Sequence, residues 1–189
     1  MNYINHIKNW HSKASDEDYF SKFTFEYLAF IAYLMTQKFS DANNERDAVQ
    51  KLKQDADVKK LFFAEKRKFE ESYNTLKNEF DDNARLSRMD GFSDVSDVKW
   101  WNHVCPANSF CGNSGCGDLP NGQDRFTDEM KGKLYGDKDW VNLIEFWVTI
   151  RNNLFHGGKN PEARRDKLVV EHGYKTLRVL MDVFLRENS

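Results

Sequence analysis

The 189-residue sequence predicts an all-α fold, an up-and-down bundle of four or five helices with one irregular insertion. Apolar residues recur at helical spacing in several long segments, and no segment alternates convincingly with period two. Apolar residues make up 40% of the chain, with 15 phenylalanines, enough for a core at this length without disulfides. Charged residues are spread along the chain, which argues against disorder. We therefore expect a single domain over residues 1–189.

The first predicted helix follows Ser15, which we interpret as its N-cap, with acidic residues in the first turn. In the run YFSKFTFEYLAFIAYLMTQKF, aromatic and aliphatic residues fall three or four positions apart, as on the buried face of a helix. Further apolar residues widen this face, so we expect the helix to lie at the centre of the bundle.

A second helical segment is predicted from about residue 45 to residue 80, after a break and a new cap at residues 41–44. An interruption is predicted near residues 54–57. The charged residues between the apolar positions are interpreted as a solvated face. The apolar positions are Phe62, Phe69, Tyr73, Leu76 and Phe80.

Residues 90–136 differ in composition from the rest of the chain. Gly, Asn, Asp, Ser and Pro dominate there, which predicts an irregular insertion. The insertion contains His103, Cys105, Cys111 and Cys116, one imidazole and three sulfurs that could hold a structural zinc ion. The Cys-x2-Cys spacing typical of such sites is missing, so zinc stays the minor alternative and no cofactor is predicted.

Two helices are predicted after the insertion. Apolar residues spaced three or four apart run from Trp140 to Leu154, and Gly157-Gly158 is expected to end that helix. Asn160 as N-cap and Pro161 at the first helical position are expected to begin the last one.

The end of the first of these helices carries the candidate site. Arg151 lies four residues after Trp147, at the edge of the apolar face, so its guanidinium should enter a groove between helices or subunits and needs partners there. His156 follows just before the glycines. Two consecutive asparagines after Arg151 are poor residues for a helix interior, and such local departures are typical of functional sites.

Arg151-Asn152-x-x-x-His156 resembles the motif of the HEPN superfamily, in which Arg is followed by four to six residues and then His. The following Gly-Gly-Lys and the earlier run FTFEYLAFIAYL are also similar to members of that superfamily. The resemblance leaves residues 90–136 unexplained. It implies a helical bundle of the HEPN type, and in many members a ribonuclease whose motifs from two subunits face each other across one cleft.

The residue types suit cleavage of RNA by its own 2′-hydroxyl. Histidine can accept or donate a proton near neutral pH, and arginine offers a charged planar fork to phosphate oxygens. We predict a metal-independent endoribonuclease in which His156 is the acid or base and Arg151 binds the phosphate. Asn152 has a positioning role and Lys159 adds attraction for phosphate. The predicted partners are RNA and a second copy of the chain.

Two alternatives stay open. One is a non-catalytic HEPN module that binds nucleotides or pairs with a nucleotidyltransferase-like or other partner. The other is a helical protein with no link to RNA, with Arg151 in an internal ion pair to Glu145 or to an acid of another helix. The resemblance further implies a toxin or defence effector, for which an antitoxin protein would be a partner.

The net charge of −2 argues against a protein that coats duplex phosphates. Positive charge is concentrated locally, because residues 151–178 contain seven Lys or Arg and three acids. The first residues do not resemble a secretory signal, no apolar run is long enough to span a membrane, and three cysteines do not make a disulfide framework. We therefore expect a cytoplasmic protein without membrane contact.

Overall fold

The computed structural model describes residues 3–15, 18–81, 140–156 and 159–187. Within these ranges the chain forms α-helices, one π-helical turn (Leu34–Lys38) that continues α2, and no strand, which confirms the all-α prediction. The predicted insertion, with His103, Cys105, Cys111 and Cys116, lies outside the described residues. None of the described helices is both long and apolar enough to cross a membrane. The helices are α1 (Tyr3–Lys13), α2 (Tyr19–Tyr33), α3 (Glu45–Gln54), α4 (Ala56–Ala64), α5 (Lys66–Asp81), α6 (Trp140–Phe155) and α7 (Arg164–Glu187).

Local caps explain where three of the helices begin. Asp18, rather than Ser15, caps α2, because its carboxylate accepts the backbone N–H groups two and three residues later. The predicted cap at Ser15 is therefore wrong. Asn44 caps α3, as the break at residues 41–44 predicted, and Asp55 caps α4. Each of these last two side chains accepts the N–H three residues on, at 3.0 and 2.9 Å.

The segment predicted as one helix over residues 45–80 forms three. The interruption predicted near residues 54–57 is found at Asp55, which ends α3 and begins α4. A second break at Glu65 separates α4 from α5 and was not predicted. Helix α1 was not predicted either, although its Ile7 is fully buried.

The start predicted for the last helix is wrong. Residues 160–162 form a turn, in which the Asn160 side chain accepts the Glu162 N–H at 2.9 Å, and α7 begins only at Arg164. The Asn-Pro pair thus makes an Asx-type turn before the helix instead of its first residues.

Helices α2 and α7 form the centre of the bundle. Helix α2 packs against α1, α6 and α7, and α7 also packs against α4, α5 and α6. The core between them is rich in aromatic rings, and the central position predicted for α2 is confirmed. Helix α6 is held by two buried indoles: Trp140 Nε1 donates to the Leu52 carbonyl at 3.0 Å, and Trp147 Nε1 donates to Thr176 Oγ1 at 2.9 Å.

Gly173 allows α6 and α7 to approach each other closely. A Cβ atom at this position would collide with Cδ1 of Ile150 and would lie 3.4 Å from the ring of Phe23. Because Ile150 directly precedes Arg151, this contact fixes the last turn of α6 against α2 and α7. The rigid placement of Arg151 therefore follows from packing behind it.

Candidate functional site

Arg151 lies on the last turns of α6 and reaches across to the start of α3. Its NH2 group is 3.3 Å from Glu45 Oε2, and NH1 donates to Asn152 Oδ1 at 2.9 Å. The Arg151 side chain remains 32% exposed, as does that of Glu45. The guanidinium thus bridges α6 and α3, with a third of its side chain open to solvent.

The ion pair of Arg151 matches one of the two partners considered from the sequence. An acid of another helix, Glu45, provides the carboxylate. Glu145 instead contacts the buried amine of Lys53. The alternative in which Glu145 pairs with Arg151 is therefore wrong.

Tyr27 of α2 also contacts the Glu45 carboxylate. Its hydroxyl donates to Glu45 Oε1 at 2.9 Å, and its ring centre is 5.9 Å from the Arg151 guanidinium carbon. Burial raises the pKa of Tyr27 well above 10, and the negative Glu45 raises it further. The hydroxyl therefore stays protonated and keeps Glu45 oriented toward Arg151. The sequence did not identify Tyr27 or Glu45, because both are far from Arg151 along the chain.

Phe155 lies one helical turn after Arg151 and its ring is exposed. The ring centre is 4.9 Å from the Arg151 guanidinium carbon, and the side chain is 59% exposed. The four-residue spacing places the two side chains on the same face of α6. An apolar ring beside a charged group at the surface is a feature that the Arg-His motif alone does not predict.

His156 lies in the turn that ends α6, and it is exposed. Its backbone N–H donates to the Asn152 carbonyl at 3.0 Å, so helical geometry extends to this residue. Residues five apart on an ideal helix are rotated by about 140° about its axis. No hydrogen bond joins Arg151 to His156 in the described ranges. Within the described part of one chain, therefore, no direct contact joins the two side chains.

The two asparagines have different environments. The Asn152 side chain accepts from Arg151 and is exposed. The Nδ2 atom of Asn153 is buried and has no hydrogen-bond partner among the described residues. An unsatisfied amide next to Arg151 costs stability, as the sequence indicated for this pair.

Lys159 has a role different from the predicted one. Its amine is 2.7 Å from Asp166 Oδ1 and its side chain is only 3% exposed. Asp166 Oδ2 accepts the backbone N–H of Asn160 at 2.9 Å. Lys159 and Asp166 thus tie the α6–α7 connection to the first turn of α7. Because Asp166 covers the amine, we leave Lys159 out of the proposed phosphate site.

Much of the positive charge between residues 151 and 178 is neutralised by local partners. Lys175 is 2.6 Å from Glu171, Arg178 is 3.0 Å from Glu26, and Lys167 is 3.5 Å from Glu162. These pairs offset part of the positive charge along the described part of α7. Recognition of an anion at Arg151 would therefore be local, as the net charge indicated.

No family model, curated protein or solved structure matches this chain. The described ranges contain no group of three or more His, Cys, Asp or Glu side chains placed to hold a metal ion. The likeness to the HEPN superfamily thus depends on the motif at Arg151 and His156 and on the helical scaffold around it.

Proposed function

We propose that the chain is an endoribonuclease of the HEPN type, in which Arg151 binds the scissile phosphate and His156 transfers protons. One observation carries this proposal: the Arg151 guanidinium is paired with Glu45 of another helix but its side chain remains 32% exposed, and its carboxylate partner is equally exposed. An exposed ion pair of this kind contributes about 0–1 kcal/mol. A phosphate, which an arginine can bind through two parallel hydrogen bonds, could therefore replace Glu45 at little cost.

The proposed reaction uses groups of the protein and of the RNA. The His156 imidazole takes the proton of the 2′-hydroxyl, and the 2′-oxygen forms a bond to phosphorus. The bond from phosphorus to the 5′-oxygen then breaks, and the 5′-oxygen takes a proton from water. Arg151 stabilises the charge that develops on the phosphoryl oxygens. The products are a 2′,3′-cyclic phosphate and a 5′-hydroxyl.

Two copies of the chain would complete the site. The rotation of about 140° between positions five apart on a helix separates the side chains of Arg151 and His156. We therefore propose a homodimer with two-fold symmetry, in which Arg151 of one copy and His156 of the other act on the same phosphodiester.

The proposal is tested by incubating the purified protein with single-stranded RNA in EDTA. We expect His156→Ala to lower the cleavage rate by about 10²- to 10⁴-fold, the usual contribution of a general acid or base. Its thermal unfolding midpoint should not change, because the residue is exposed. His6→Ala, at another exposed histidine, is the matched control and should cut normally. Equal cleavage by wild type and His156→Ala would contradict the proposal.

Mixing two inactive variants tests the composite site. In a heterodimer of Arg151→Ala and His156→Ala, one of the two sites keeps both an arginine and a histidine. Random exchange of subunits should therefore restore about a quarter of the wild-type rate in a two-fold dimer. No restoration, with dimers shown by light scattering, would place both groups in the same chain.

The second candidate is a non-catalytic module that binds a nucleotide or a partner protein. The lack of a hydrogen bond between Arg151 and His156 in the described ranges favours it. The Arg151–Glu45 ion pair is the contact expected of the other alternative, a helical protein with no link to RNA. A wild-type protein that binds nucleotides in an Arg151-dependent manner, yet never cuts RNA, would support this candidate.

A further inference from the structure

We infer that Phe155 is a stacking surface for one unpaired base of the bound RNA. This inference rests on the proposed function, because the base belongs to a nucleotide next to the phosphate at Arg151. It assigns a role to a residue outside the Arg-His motif.

The first argument is exposure. Phe155 is 59% exposed, more than any other large apolar side chain in the part of the chain that the structure describes. The next values are 47% for Tyr3, 39% for Leu61 and 38% for Leu28. A phenylalanine that stays outside the core forgoes most of the free energy that burial would provide. The exposure of Phe155, one residue before His156 and one turn after Arg151, therefore indicates a role outside the core.

The second argument is the contact with Arg151. The guanidinium carbon is 4.9 Å from the Phe155 ring centre, within the range of a cation–π interaction. Arg151 is itself fixed by Glu45 and Asn152, so the ring is held in place before any ligand arrives. A phenyl ring has only two side-chain torsions, and stacking on a ring already oriented costs little conformational entropy.

The third argument selects unpaired RNA. A base inside a duplex has both faces stacked on its neighbours, so only an unpaired base can offer a face to Phe155. Binding of a duplex would instead require a broad basic surface. The chain has a net charge of −2, and Lys159 and Lys175 beside this region are paired with acids. A single guanidinium with an adjacent ring suits one phosphate and one base.

The experiment compares RNA affinities in a His156→Ala background, in which bound RNA is not cut. Fluorescence anisotropy is measured with a short labelled single strand and with the same strand annealed to its complement. We expect Phe155→Leu, which stays apolar but has no ring, to weaken single-strand binding about 5- to 150-fold. Phe155→Trp should bind at least as tightly, and the annealed RNA should bind more weakly than the single strand.

Leu61→Ala is the matched control, because it removes an exposed apolar side chain on α4, away from Arg151. It should leave RNA affinity unchanged. Circular dichroism and light scattering on each variant check the fold and the oligomeric state. The inference is wrong if Phe155→Leu binds the single strand as tightly as the parent protein that keeps Phe155. It is also wrong if annealed RNA binds as tightly as the single strand. It is also wrong if Phe155→Leu dissociates a dimer, since the ring is then covered by the second copy.

The outcomes separate this inference from the proposed function. If wild type never cuts RNA but binds single strands in a Phe155-dependent manner, the proposed cleavage is wrong and the proposed stacking is supported. If wild type cuts and Phe155→Leu cuts with the same KM, stacking is wrong and cleavage stands. If no RNA binds at all, both are wrong.

Discussion

Two neighbouring residues of α2, Glu26 and Tyr27, belong to two separate contact clusters, each of which contains one arginine. Glu26 is 0% exposed; its two oxygens lie 2.6 Å from His11 Nδ1 and 3.0 Å from Arg178 NH1. Tyr27 holds Glu45, whose other oxygen is 3.3 Å from Arg151. We call these the Glu26 cluster, which joins α1, α2 and α7, and the Glu45 cluster, which joins α2, α3 and α6.

The two clusters use the same guanidinium–carboxylate chemistry at different depths. Arg178 cannot exchange its partner without leaving the fully buried charge of Glu26 uncompensated, which is costly. Arg151 can exchange Glu45 cheaply, because both side chains are about one third exposed. The comparison indicates that Arg178 stabilises the bundle, and it supports the proposal that Arg151 binds a ligand.

The largest effect is expected from Glu26→Gln. The amide keeps the shape of the carboxylate but removes its charge, so Arg178 and His11 lose the counter-ion between them. We expect the free energy of unfolding to fall by about 3 kcal/mol, the lower part of the range for a broken buried pair. Urea denaturation followed by circular dichroism measures it.

Glu162→Gln is the control for this measurement. Its carboxylate is 85% exposed and lies 3.5 Å from Lys167, so the same chemical change should cost little. A loss below about 1 kcal/mol for Glu26→Gln would mean that the buried cluster stabilises no more than a surface pair.

The clusters also show what the sequence could predict. The helical periodicity of α2 predicted its central position, and the position of Arg151 at the edge of an apolar face predicted that it needs partners. Which acid pairs with Arg151 could not be predicted, because Glu45 lies 106 residues away along the chain and spacing carries no information on such contacts. Glu26 did leave a signal, since a lone acid inside the apolar run FTFEYLAF indicates a buried charge.

The errors in the helix boundaries have local causes. Ser15 and Asp18 are both good caps, and the structure uses the one whose carboxylate reaches the N–H groups of the helix that follows. Asn160 and Pro161 have the composition of a helix start, but Asp166 accepts the Asn160 N–H and delays the helix to Arg164. Composition is the same whether a helix begins at a candidate cap or a few residues later. The residue at which the helix begins therefore depends on contacts made in the folded chain.

A smaller effect is expected from pH at the Glu26 cluster. Burial lowers the pKa of His11, but hydrogen bonds to Asp182 and Glu26 outweigh burial and the nearby Arg178, and the net shift raises it above 6.5. A raised pKa in the folded protein contributes stability that is fully present below about pH 6.5 and is lost as pH rises through the folded pKa. We therefore expect the free energy of unfolding to fall over that interval.

His11→Asn isolates this contribution, because the asparagine does not titrate. The difference in unfolding free energy between wild type and His11→Asn should shrink as pH rises above about 6.5. A constant difference between wild type and His11→Asn across this range would contradict a charged His11 between Glu26 and Asp182.

The smallest effect on stability is expected from Glu45→Gln. This change should lower the free energy of unfolding slightly but strengthen RNA binding. The amide oxygen can still accept from Tyr27, while the charge that competes with phosphate for Arg151 is removed. We expect a loss of about 0.2–1 kcal/mol in unfolding free energy and about two- to fivefold tighter binding of single-stranded RNA. Urea denaturation and anisotropy in the His156→Ala background measure the two quantities.

The sign of the affinity change decides what Glu45 does. Tighter binding means that the carboxylate occupies the place of the phosphate, and that Arg151 is available once it is displaced. Weaker binding would mean that Glu45 aims Arg151 at the ligand, so that loss of the pair disorders the guanidinium. Glu26→Gln should give no gain in RNA affinity, because Arg178 is also bonded to the His11 carbonyl and stays within the bundle.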